Sequence, residues 1–68
     1  MNNEDILKII ECLPIGYRTV FNLYAIEGYS HAEIAASLGI TESTSKSQLS
    51  RARVILQNAI AQQKSTVN

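Results

Sequence analysis

Ser30 to Arg53 reads SHAEIAASLGITESTSKSQLSRAR, and its punctuation specifies two helices joined by a tight turn. Ser30 is followed three residues later by Glu33, the spacing of a capping box, in which each side chain bonds an amide hydrogen that the first helical turn leaves without a partner. A helix therefore starts at His31, with Tyr29 and Ile34 at the positions of a hydrophobic staple across the cap. Gly39 falls where the chain needs a positive φ to leave that helix, and Ile40 folds back toward Leu38 or its apolar neighbours. Thr41 caps a second helix that opens on Glu42, an acid at the positive end of the helix dipole. The pattern is that of a helix-turn-helix.

Helical spacing divides the second helix into two faces. Ser45, Leu49, Ala52, Leu56 and Ala59 fall on one side and form the stripe expected to bury. Ser43, Lys46, Ser47, Ser50 and Arg51 collect on the other, with Arg53 at the margin. Short hydroxyls allow a close approach and long cations punctuate them, a combination suited to base edges and phosphates in the major groove of DNA. A helix that lies on a membrane shows large apolar residues opposite a dense basic face, and this one has neither, so no membrane contact is expected. A default surface helix is also polar on one side, but the preceding cap, the Gly39 turn and the small Ala35 at the helix crossing favour the two-helix reader.

Outward from this unit, the rest of the chain also reads as helix. Ile6, Leu7, Ile9, Ile10 and Leu13 fall at helical spacing over about residues 4–13. Pro14 breaks that helix and serves as the first residue of another, over about 14–27, with Gly28 as its exit. In that second segment Tyr17, Val20, Phe21, Tyr24 and either Leu23 or Ile26 supply more apolar surface than one stripe needs, leaving some for a partner. The expected helices are thus about 4–13, 14–27, 31–38 and 42–61, with a frayed polar tail over 62–68. Strand patterning, repeats and internal linkers are lacking. The expected fold is all-α, a single small four-helix domain over residues 1–68.

Composition narrows the function. A chain of 68 residues buries only about sixty per cent of its unfolded surface, so its stability should be modest. It has no run long enough to span a membrane, no signal-peptide pattern, and a single cysteine, Cys12, which excludes an internal disulfide and fits a cytoplasmic protein. Cys12 is read as a small buried or half-buried side chain. The single histidine, His31, is read as a surface residue, and one Cys with one His makes no metal cluster. The acids are scattered, no nucleophile sits beside His31, and no glycine-rich phosphate loop is present, so no enzyme, catalytic residue, cofactor or metal is expected.

Formal net charge is zero, yet its distribution is uneven. Up to Thr41, Glu4, Asp5, Glu11, Glu27 and Glu33 face Lys8 and Arg18; from Glu42 on, Lys46, Arg51, Arg53 and Lys64 outnumber Glu42 alone. The positive half is the one expected to face a polyanion. Four cations are few for a DNA reader, so the isolated domain should bind weakly and rely on a partner to raise its local concentration.

The series LPIGYRTVFNLY, EGYSHAEIA and LGITESTSKSQLSRAR resembles region 4 of sigma-70 family factors, in particular their small extracytoplasmic-function branch, over about Leu13 to Leu56. The resemblance implies a winged-helix-like DNA-binding domain that recognises the promoter minus-thirty-five element through its last helix in bacterial transcription initiation. It implies double-stranded promoter DNA and the β flap of core RNA polymerase as partners, with an anti-sigma factor as a further candidate. It places groove-facing positions on Ser43, Lys46, Ser47 and Ser50, and phosphate-contacting or flanking positions on Thr44, Arg51 and Arg53. Two departures stand out: Ser45 occupies a position that is often apolar, which should loosen the start of the recognition helix, and Gln48 one that is often cationic.

Two other readings remain at this level. The output domain of a response regulator shares the helix-turn-helix but usually lacks the paired L-P-x-x-x-R and K-S-x-L-x-R-A-R segments. A protein-interaction module would use the first two helices for binding and the last merely to cover the core. A complete sigma factor also needs a promoter-melting region, for which 68 residues leave no space, so the chain is expected to be an excised domain with an added Met1, a stand-alone regulator being the alternative.

Overall fold

Four helices follow one another in the computed structural model, which describes residues 3–67 of the backbone and the side chains of residues 4–62. They are α1 (Asn3–Glu11), α2 (Ile15–Phe21, continued by a π-helical turn over Asn22–Ile26), α3 (His31–Leu38) and α4 (Glu42–Val67). No strand occurs among the described residues. The molecule measures 44 by 18 by 16 Å; its long dimension is set by α4, whose 26 residues reach about 39 Å at the helical rise.

Charge placement and caps explain where the elements start and stop. Glu4 and Asp5 occupy the first turn of α1 and Lys8 the last, each on the side the helix dipole favours. The helix ends at Glu11, short of the expected Leu13, and the Arg18 guanidinium reaches back to donate to the Glu11 carbonyl at 3.1 Å, satisfying a terminal acceptor. Cys12 then falls in the turn and is exposed, not buried as the periodicity suggested, while Leu13 turns inward and is buried. Pro14 caps α2 from an extended conformation, φ −51° and ψ 146°, so the helix begins one residue later than expected.

The π turn was not foreseen. The Glu27 amide donates to the Asn22 carbonyl at 3.0 Å and the Tyr29 amide to that of Leu23 at 2.9 Å, each over more than one α turn. The widened turn changes which residues of this stretch face inward. Phe21, Leu23 and Tyr24 all pack on the core, and Ile26 stays 60% exposed. The open choice between Leu23 and Ile26 is thus resolved for Leu23.

Two adjoining apolar clusters make the core. Ile10, Leu13 and Ala52 are buried together with Tyr17, Phe21 and Leu56 against them; Val20, Ile34 and Leu49 are buried together with Phe21, Leu23, Tyr24 and Ile40 against them. Phe21 belongs to both, so α1, α2, α3 and α4 converge around one aromatic ring. α4 packs mainly on α2 and α3. Its C-terminal part continues to Val67, through the stretch expected to fray, since no proline or glycine interrupts it after Gly39. Asn68 lies outside the described residues.

The capping box of α3 is complete. The Glu33 amide donates to Ser30 Oγ at 3.1 Å and the Ser30 amide to Glu33 Oε1 at 3.0 Å. These bonds hold the Glu33 carboxyl below the usual carboxylate range, the bond from the Ser30 backbone contributing most. A depressed native value means that the carboxylate contributes stability above its unfolded value of about 4.3 and that this is lost as pH falls through the lower native value. Glu33→Gln retains an acceptor for Ser30 but cannot titrate. Its melting temperature should lie below the wild type near neutrality, where only the wild type carries the charged acceptor, and the gap should close with acid below about pH 4.3; parallel pH profiles in a calorimetric titration would refute the linkage.

Candidate nucleic-acid interface

The interface is set by how α3 and α4 are locked together. α3 stops at Gly39, which takes φ 68° and ψ 34°, a left-handed conformation that costs a glycine little. The Ile40 amide donates to the Ala35 carbonyl at 3.1 Å, the long bond of a Schellman stop, and the Ile40 side chain packs on the Val20–Ile34–Leu49 cluster. Thr41 then caps α4, its Oγ1 accepting from the Thr44 amide at 3.0 Å. The three residues between the helices, Gly39, Ile40 and Thr41, thus reverse the chain with no strained non-glycine backbone.

A polar contact absent from the sequence-based reading completes the lock. Ser45 is fully buried, and its Oγ lies 2.9 Å from His31 Nδ1. The imidazole is half-buried and stacks on Tyr24, with ring centroids 4.4 Å apart and planes inclined by 19°. His31 is therefore a structural residue that joins the first turn of α3 to the first turns of α4, not a free surface side chain. The start of α4 is not loosened by Ser45, because a buried hydroxyl with a partner carries little of the cost of an unsatisfied one. The signal was present: a serine on an otherwise apolar stripe needs a partner, and His31 is the polar ring on the facing helix.

With Ser45, Leu49 and Ala52 buried, the opposite side of α4 is fixed toward solvent. Ser43, Thr44, Lys46, Ser47, Ser50, Arg51 and Arg53 are all exposed. They run along about 15 Å of helix. Neither Lys46, Arg51 nor Arg53 has an ion pair with another described residue, so each guanidinium or ammonium is available to an incoming anion. Gln48 is half-buried at the edge of this face: its carboxamide lies over Gly16 at the start of α2, and Oε1 is buried with no hydrogen-bond partner among the described residues. Tyr17, one of the apolar residues that exceed a single stripe on α2, borders the face. It lines a cleft of about 280 Å³ with Ser43, Thr44, Ser47, Gln48 and Arg51.

Comparison with known protein families gives one finding that decides the assignment: the family described as sigma-70, region 4 matches residues 3–56. The chain belongs to the sigma-70 region 4 family. The matched span takes in α1 as well as the segment from Leu13 to Leu56. No curated protein and no solved structure matches the chain. As a sigma region 4, it is a DNA-binding helix-turn-helix domain of transcription initiation, a transcription-factor domain and not an enzyme family. Membership also implies promoter DNA and RNA polymerase as the interacting molecules. Among the described residues, no helix is long and apolar enough to cross a membrane.

Proposed function

We propose that this region 4 domain, of the extracytoplasmic-function type, reads a minus-thirty-five element by laying α4 in the major groove while its opposite side docks on the β flap of RNA polymerase in the bacterial cytoplasm. The observation that carries the reading is the single polar face of α4, exposed from Ser43 to Arg53 and backed by a helix that a full capping box and a buried Ser45–His31 contact hold in place. In this arrangement Lys46, Ser43, Ser47 and Ser50 meet base edges, and Thr44, Arg51 and Arg53 hold phosphates. Neither a response-regulator output domain nor a pure interaction module is favoured by the family match.

Support for the docking side comes from the surface between α1 and α2. Ile6, Leu7, Ile10, Phe21, Ala25 and Ile26 line an open groove of about 440 Å³, in which Ile6, Leu7 and Ile26 are 40%, 53% and 60% exposed. An apolar groove of this kind takes the apolar face of a helix, which suits the flap or, in competition with it, an anti-sigma factor.

Selection of bound duplexes from a random pool at low salt, with the domain free and fused to the flap, tests the DNA reading. One enriched motif is expected; an unenriched pool from both forms would overturn it. On the enriched duplex Arg53→Ala should weaken binding equally for specific and scrambled sequences and lower the salt slope by about 0.9, the counterion released by one phosphate contact. An unchanged slope would remove Arg53 from the interface.

A further inference from the structure

We propose that Tyr17 is a DNA-contacting residue: its hydroxyl and the Arg51 guanidinium together seat one backbone phosphate in the cleft between the start of α2 and the first turns of α4. The inference rests on the reading that the exposed face of α4 meets DNA, and adds to it a residue from outside the helix-turn-helix.

Tyr17 is anchored for such a role. Its ring packs on the Ile10–Leu13–Ala52 cluster, and the residue is half-buried, so little side-chain freedom remains to be lost on binding. It lines clefts on both flanks of Arg51: the one shared with Ser43, Thr44, Ser47 and Gln48, and a second of about 350 Å³ shared with Ser50, Val54 and Ile55. The phenol hydroxyl makes no hydrogen bond with another described residue, and it is not among the buried polar atoms without a partner, so it keeps contact with solvent.

The chemistry of the first cleft is that of an anion seat. Its lining offers hydroxyls, a carboxamide and one guanidinium, with no carboxylate. Thr41 Oγ1 donates to Thr44 Oγ1 at 2.9 Å, which occupies an acceptor position on Thr44 and leaves that residue's own hydroxyl proton to point elsewhere. Tyr17, Thr44 and Ser47 can therefore donate to one oxyanion while Arg51 supplies the charge. The second cleft is bounded by Val54 and Ile55, 54% and 36% exposed, and offers fewer donors, so the phosphate belongs in the first. Seating it there fixes the register of α4 in the groove from α2, a separate element.

Tyr17→Phe keeps the packed ring and removes only the donor, and its melting curve should match the wild type. On the enriched duplex it should bind about tenfold more weakly at low salt, the usual scale of a hydrogen bond to a charged group, with the same factor on scrambled DNA and an unchanged salt slope because no charge is lost. Replacing backbone phosphates one at a time by neutral methylphosphonates should find one position at which Tyr17→Phe and Arg51→Ala no longer add to the loss. Wild-type affinity for Tyr17→Phe, or full additivity at every position, would overturn the seat while leaving α4 as the reader. Failure of the unaltered domain to enrich any duplex in either form, free or fused, would remove both together.

Discussion

Truncating Ile34 to alanine is expected to cost about 2–5 kcal/mol of stability. The side chain is 1% exposed and packs in one cluster with Val20 of α2 and Leu49 of α4, so the space it leaves is enclosed by three helices. A chain of this size has only about 3–10 kcal/mol in total. The loss is thus a large share of the whole, and urea titration followed by helical circular dichroism should show the midpoint collapse toward zero denaturant. DNA binding should fall with the folded fraction and recover when a stabilising osmolyte restores it. Leu7→Ala provides the contrast: at 53% exposure its loss should leave the midpoint nearly unchanged. A small shift for Ile34→Ala would mean that α3 is not held by this core.

The legibility of the fold followed the range of the interactions involved. Both ends of α3 were readable because Ser30, Glu33 and Gly39 act within a few residues of the ends they set. The end of α1 was not, since the Glu11 carbonyl takes its donor from Arg18, across the Pro14 turn. The π turn over Asn22–Ile26 reflects a tertiary demand: Phe21, Leu23 and Tyr24 all reach the core, and periodicity alone could only report too many apolar residues for one stripe.

The same distinction runs through the site. The polar face of α4 was legible because it is the complement of a buried stripe on one regular helix, so Ser43, Lys46, Ser47, Ser50 and Arg51 followed from spacing. Ser45 was legible as buried but not as satisfied, because its partner His31 stands fourteen residues away on another helix. Tyr17 belongs to the apolar excess of α2 and does pack on the core; that it also borders the cleft beside Arg51 depends on how α2 meets α4. Gln48, at a position that is often cationic, lies over Gly16, and the charge on the face rests on Lys46, Arg51 and Arg53.

That small number of cations makes Lys46→Ala the most informative change at the interface. Lys46 is exposed one turn into α4, near the end that a recognition helix presents to base edges, and its ammonium can reach the guanine acceptors of the major groove. Losing a base contact should cost about 1–3 kcal/mol on the enriched duplex, a factor of about five to 150 in affinity, while the melting curve stays at the wild-type value because the side chain takes no part in either apolar cluster. Scrambled duplex should lose much less, so the ratio of specific to non-specific affinity should fall. A repeated selection with the variant should relax preference at one or two adjacent base pairs and keep it elsewhere. Equal losses on both duplexes would make Lys46 a phosphate ligand instead, and selectivity would then have to come from Ser43, Ser47 and Ser50. Those short hydroxyls read less per contact than a bidentate pair. A domain with so few long readers is expected to draw further affinity from RNA polymerase, and the Lys46→Ala deficit should therefore be measured both free and in the presence of polymerase: its ratio in specificity should be the same in the two states even though the absolute affinities differ.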